Sequence, residues 1–270
     1  MVTLSLKVLD KDGNTLAVAS GEDFVDLVYA AAYNEGDVIE LQTSPKNVHI
    51  NWQVDDALGP AFVYVTDTVK YDIPFGEARI SYSPKVFWGT RHYMYARIAG
   101  AEEVGAYRNL ALNPADQHKE VSCYPHASAN VETRGESVFA AKNAIDGVYA
   151  NLSHGEWPYQ SWGINRREDA TMKLEFGRMI CTDRIVFYTR SDFPHDNYWT
   201  ELTVDFSDGT SETFSLTKTA RAQEHRFKER VIDSLVIRDL IKSDEPSPFP
   251  ALTQIEVYGR VKDAGSGNCG

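Results

Sequence analysis

The sequence predicts an all-β protein built as two β-sandwich (jelly-roll-like) domains. Three observations carry this reading. Short runs of alternating apolar and polar residues recur along the chain, turn-forming residues punctuate them, and only one Ala-rich stretch invites a helix. At roughly 100 to 200 residues per domain, a chain of 270 residues holds two domains.

In the first half, VTLSLKVLD alternates, KDGN turns and NTLAVAS alternates again, which reads as a hairpin. Strand candidates follow at GDVIELQTS, VHINWQVDD, AFVYVTD, ARISYSP and RHYMYARIA. DFVDLVYAAAYNEG is ambiguous between strand and short helix. Strands at this even spacing make a sandwich over residues 1–106. Its rings, among them Trp52 and Trp88, are explained by core packing as well as by contact with a neighbour, for which KVFWGTRHYMY is the best candidate.

The second half offers TMKLEFGR, DRIVFYTR, TELTVDFSDGTSETFSL, HRFKERVIDSLVIRDL and ALTQIEVYGR as strands. SDGT is a hairpin turn inside the third. This second sandwich covers 107–262, and the small, polar AGSGNCG closes a tail at 263–270.

Composition narrows the function. With 43% apolar and 24% charged residues the chain is an ordinary globular sequence, and its formal net charge of −12 repels nucleic acid and anionic membranes in the absence of a basic cluster. No run approaches the roughly 18 apolar residues of a membrane helix, so no membrane insertion is expected. Three cysteines at unpaired spacing argue for reduced thiols rather than a disulfide framework. With no signal peptide at the N-terminus given, the expectation is cytoplasmic, or extracellular if the chain is an excised module.

The stretch SHGEWPYQSWGINRRED, residues 153–169, has neither helical nor alternating period. It mixes rings with charges that a core would not bury unpaired and a linker would not need. An ordered loop of that composition binds something. A second such loop is RSDFPHDNYW, residues 190–199.

In order, RNLALNP, NAIDG, SWGI, MKLEFGR, DRIVFYTR, LTVDFSDG and PALTQIEVYGR resemble the discoidin-like, or coagulation factor V/VIII type C, domains and related carbohydrate-binding modules of the galactose-binding-like superfamily, over about residues 108–260. A long insert between NLA and the Asp-Gly turn, and the charge of the two loops, depart from that pattern. The resemblance implies a non-catalytic, lectin-like carbohydrate binder, delivered alongside a catalytic partner protein or domain. It also implies a structural calcium ion, with Asp146 and Glu256 at the matching positions and Ser153 or Asn151 adding a hard oxygen ligand.

Sugars present apolar C–H faces edged with hydroxyls, so their sites join aromatic platforms to planar hydrogen-bonding groups. Trp157, Tyr159 and Trp199 are the platform candidates, with His154, Glu156, Arg166, Asp192, His195 and Asp196 as polar candidates. Trp157 and Tyr159 are expected to be exposed in one pocket with Asp192, His195 and Asp196, over a buried Trp162. Tyr188 is expected to face the core. No residue is assigned a catalytic role. The alternatives are a glycoside hydrolase or lyase using Glu156 with Asp192 or Asp196, a transition-metal site at His154, His195 and Asp192, and a protein-protein adhesion module.

Overall fold

The computed structural model describes residues 1–119, 121–192 and 195–262; the tail at 263–270 lies outside the described residues. In the first half the strands are β1 (Thr3–Leu9), β2 (Thr15–Glu22), β3 (Phe24–Tyr29), β4 (Val38–Ser44), β5 (Val48–Gln53), β6 (Ala61–Val65), β7 (Val69–Asp72) and β8 (His92–Ile98). One helical turn, α1 (Ala101–Gly105), follows. The second half has β9 (Arg108–Asn109), β10 (Cys123–Tyr124), β11 (His126–Ala129), β12 (Trp162–Gly163), β13 (Met172–Thr189), β14 (Trp199–Phe206), β15 (Ser211–Ser215), β16 (Gln223–Lys242) and β17 (Ala251–Val261). Among the described residues no helix is long and apolar enough to cross a membrane.

Two antiparallel sheets make the first sandwich, in the orders β2-β1-β4-β7 and β10-β6-β5-β8-β3. Alternation does the work: Leu4, Leu6 and Val8 of β1 and Ile39 and Leu41 of β4 point inward, against Ile50, Trp52 and Val63 of the facing sheet. The ambiguous DFVDLVY stretch is strand β3, because Val25, Leu27 and Tyr29 alternate inward while its other positions face out. ARISYSP is not a strand. A 3-10 turn, Gly76–Arg79, occupies its start, Ile80 is exposed, and the Tyr82 hydroxyl accepts from that of Tyr71, so the segment caps the core instead of joining a ladder.

The second sandwich is one eight-stranded sheet folded over its own core, with the path β12-β17-β13-β16-β14-β15, β11 on β13 and β9 on β17. The two predicted strands TMKLEFGR and DRIVFYTR are one strand, β13. Its first end, Met172–Glu175, pairs β11 and the far end of β16, whereas Ile180–Thr189 pairs β17 and the near end of β16. A register shift between Glu175 and Ile180 separates them. Bulges bend a strand in this way and let it serve two layers. Gly177 sits at the bend with φ of 65°, and a Cβ there would lie 2.4 Å from the Tyr124 ring. Only glycine combines that backbone with that approach.

The chain interlocks the two halves. After β9 joins β17, Ala115 and Cys123 enter the first core, and β10 pairs β6 before β11 pairs β13. Buried Asp116 fastens the return: one oxygen meets His126 Nδ1 at 2.7 Å and the other accepts the Ala127 N–H at 2.9 Å. Cys123 is a buried free thiol. Cys181 is disulfide-bonded, against the expectation of reduced thiols, because spacing along a sequence does not report which sulfurs a fold brings together.

We propose that 107–262 nonetheless fold as a unit, since the larger core is drawn from 110–257. A fragment of 107–262 should unfold cooperatively, while its Cys123, stripped of its surroundings in the first core, should react rapidly with a thiol reagent that leaves the full chain untouched. A fragment with no cooperative transition would show that the halves share one folding unit.

Candidate functional site

Four loops meet at one end of the second sandwich. The indole of Trp162, fully buried, donates to the Val131 carbonyl at 3.1 Å and lies 6.2 Å from the ring of buried Trp199. The loops that these two residues terminate are thereby brought side by side. Between them lies a cleft of about 100 Å³ whose wall is Phe139, His195 and Phe249. His195 is 6.3 Å from Phe139 and 6.1 Å from Phe249, ring to ring. His154, 5.5 Å from His195, and the guanidinium groups of Arg134 and Arg166 stand at the rim. Each guanidinium stacks on a wall ring, Arg166 at 4.6 Å from Phe249 and Arg134 at 5.6 Å from Phe139.

His195 has the most specific chemistry. Only 6% exposed, it sets Nδ1 2.9 Å from the Phe249 carbonyl. A carbonyl can only accept, so Nδ1 carries the proton. Burial, reinforced by the positive charge of Arg190, lowers the imidazole pKa to about 4. The ring is therefore neutral at pH 7, and Nε2 is a bare acceptor. Nε2 is buried and has no hydrogen-bond partner. A buried polar atom left unpaired costs about 1–3 kcal/mol, so a ligand hydroxyl or N–H that reached it would relieve a penalty.

Arg190 sets this environment from below. Fully buried, it donates Nε to Asp192 at 3.0 Å and Nη1 to the Tyr159 carbonyl. Asp192 is thus committed to an ion pair.

Of the residues singled out in the sequence, His154, Arg166 and His195 share the cleft. The others fall elsewhere. Trp199 is not a platform; its ring is fully buried, because it opens β14 with its side chain on the core face. Tyr159 is 7% exposed rather than open, packed with Val138 and Phe139. Trp157 is half-buried and lines a different cleft, with Tyr82, Lys142 and Gln160, where the two halves meet. Glu156 is exposed and Asp196 half-buried, and neither lines the cleft. Tyr188 is half-buried on the face opposite the core residues Ile185 and Phe187, its hydroxyl 3.3 Å from Glu256. Sequence reading passed over Phe249, Phe139 and Arg134. The PSPFP run around Phe249 held the available signal, an aromatic ring on a stiff, proline-flanked loop.

The residues named for calcium are placed as follows. Asp146 is half-buried and accepts from Val148 N, Gln160 Nε2 and Gln254 Nε2, and desolvation of its carboxyl pushes it up to about 6. Glu256 accepts the Tyr149 hydroxyl at 2.6 Å as well as that of Tyr188. Ser153 Oγ and Asn151 Oδ1 are buried oxygens without hydrogen-bond partners. Among the described residues no three His, Cys, Asp or Glu side chains cluster as a metal centre.

No family model and no curated protein sequence matches the chain. Solved structures do. The chain is similar to chitosan-binding module 1 of a chitosanase/glucanase from Paenibacillus sp. IK-5, at 18% identity, over 56% of this chain and 98% of that one, with a TM-score of 0.39. It is similar to the lectin domain of lectinolysin complexed with Lewis b antigen, at 16% identity, over 57% and 97%, TM-score 0.42. It is also similar to the family 32 carbohydrate-binding module of C. perfringens NanJ in complex with galactose, at 16% identity, over 49% and 91%, TM-score 0.36.

The neutral His195 ties stability to pH. Its contribution is complete above the ordinary histidine value of about 6.5 and falls as pH drops from there toward about 4, where the unfolded chain binds a proton that the folded ring refuses. His195→Gln cannot titrate, so its urea stability should decline less than wild type between pH 7 and 4.5. Equal declines would mean that His195 is not held neutral.

Proposed function

We propose that this chain is a carbohydrate-binding protein that takes a sugar, without catalysis, in the cleft formed by His195, Phe249 and Phe139. One observation carries the reading: the cleft walled by the Phe139 and Phe249 rings is also lined by His195, whose buried Nε2 has no hydrogen-bond partner. Apolar rings beside an unmet acceptor suit a molecule whose C–H surface and O–H donors lie side by side, which is the chemistry of a sugar.

Hydrolysis by paired carboxylates finds less support. It needs two acids about 5 to 10 Å apart across the scissile bond, and among the described residues lining the cleft there is neither Asp nor Glu. Asp192 is already paired with Arg190.

A glycan array followed by calorimetry on the best ligand tests the proposal. Phe249→Ala and His195→Phe should each weaken binding by more than about 1 kcal/mol, the scale of one lost aromatic contact or hydrogen bond. Trp157→Ala should leave affinity unchanged, since that ring lines the other cleft. A wild-type protein that bound no glycan, or that consumed its ligand, would overturn the reading.

We further propose that a structural Ca²⁺ is held by Asp146 with Asn151 and Ser153, leaving Glu256 to its two tyrosine hydroxyls. The two partnerless oxygens suit a hard cation. A nearby cation would also favour the ionised form of Asp146 that burial opposes. Excess Ca²⁺ should raise the melting temperature and a chelator lower it; a melting point indifferent to both would sink the site.

A further inference from the structure

Resting on the carbohydrate reading of the same cleft, we infer that the sugar it takes carries an anionic group, a carboxylate or a sulfate, received by Arg166. Acids outnumber bases along the chain, for a formal net charge of −12, so a random patch of surface should be acidic. The described residues lining this cleft include no carboxylate, and its formal charges are the guanidinium groups of Arg134 and Arg166, His195 being neutral. A local positive field in an acidic protein selects for negative ligands.

The two arginines are not equivalent. Arg134 is neutralised by Glu136 through paired contacts of 2.6 and 2.7 Å. Arg166 forms no ion pair with a carboxylate among the described residues; Glu168, two positions on, lines an adjoining cleft with it without pairing, and Asp169 is taken by Arg167. The Arg166 guanidinium carbon lies 4.6 Å from the centroid of the Phe249 ring, which holds the group at the cleft. Its N–H donors, paired with no carboxylate among the described residues, suit a planar acceptor such as a carboxylate or sulfate-like oxygens.

The backbone supplies a second, independent sign. Arg134 and Arg166 both sit in the left-handed region, with φ of 54° and 62°, and Asn165 beside Arg166 has φ of 50°. Non-glycine residues are uncommon there, and such strain concentrates at ligand clamps. Here it falls on both arginines of the rim. A turn chosen only for chain reversal would be served better by glycine or asparagine.

Three probes that differ only at one carbon separate the possibilities: galactose, galacturonate and galactose 6-sulfate, titrated by calorimetry at low salt and alongside an array of neutral and acidic glycans. At least one acidic probe should bind about tenfold more tightly than galactose, the scale of one charge-assisted hydrogen bond, and the carboxylate and sulfate arms show which anion is preferred. Arg166→Asn, which keeps a residue suited to the left-handed backbone, should bring that probe down to the affinity of galactose, whereas His195→Phe should weaken acidic and neutral probes alike. Equal binding of neutral and acidic probes, or a preference that survives Arg166→Asn, overturns the anionic inference and leaves the carbohydrate reading standing. If no glycan of any class binds, both fall.

Discussion

The contact between Trp162 and Trp199 is what the candidate site rests on. Trp162 ends the loop that carries His154, and Trp199 ends the loop that carries His195. With both rings fully buried and 6.2 Å apart, the ends of the loops are fixed and the loops must run side by side. The same Trp162 draws in Val131 through its indole N–H, and with it the turn bearing Arg134. The His195 hydrogen bond to the Phe249 carbonyl recruits the fourth loop. Truncating a buried tryptophan costs about 3 to 5 kcal/mol, so this corner is expensive to disturb, and the geometry of the cleft inherits that stability.

The electrostatics follow from the same packing. A fully buried guanidinium is costly unless its donors are matched, and Arg190 is matched at Nε by Asp192 and at Nη1 by the Tyr159 carbonyl, while its Nη2 is buried without a partner. Its residual field, added to desolvation, is what keeps His195 from protonating. A protonated His195 would present a donor at Nε2 and turn away hydroxyl protons. Burial of the imidazole itself, with the Arg190 charge as the smaller contribution, thus sets which hydrogen-bond role His195 offers.

Much of the fold was legible because alternation is a local property. The inward rows of β1 and β14 can be read from the sequence, as can the SDGT hairpin between β14 and β15, whereas β3 lay in a stretch that the sequence left open between strand and short helix. That TMKLEFGR and DRIVFYTR would fuse into β13 was not, since Gly177 and its neighbours look like a turn and only Tyr124, more than fifty positions away in sequence, explains the glycine. The site was half legible. His154, Arg166 and His195 stood out because charge and aromaticity coincide around them. Trp199 and Tyr159 stood out for the same reason and are buried, because composition says that a residue is unusual in a loop but not which side of the last strand position it occupies. Phe249 was hidden by the opposite failing: its loop is short of charge, and its importance comes from a backbone carbonyl and a ring face that no residue-type pattern encodes.

The cleft also owes its character to where it is not. The interlocking segment that passes Cys123 and Tyr124 into the first half joins the sandwiches through β10 and the Asp116 and His126 pair. That junction consumes the polar groups of the long insert, including the carboxylate of Asp116, whose two oxygens are both taken. The loop end keeps Arg166 and Nε2 of His195 uncommitted among the described residues. An uncommitted donor and an uncommitted acceptor on a rigid, ring-lined frame are pre-organised for binding, since little ordering remains to be done when a ligand arrives. The junction leaves buried donors open too, Arg178 Nε and Nη2 among them, so what sets the loop end apart is that the residue with the open acceptor lines a cleft walled by phenyl rings.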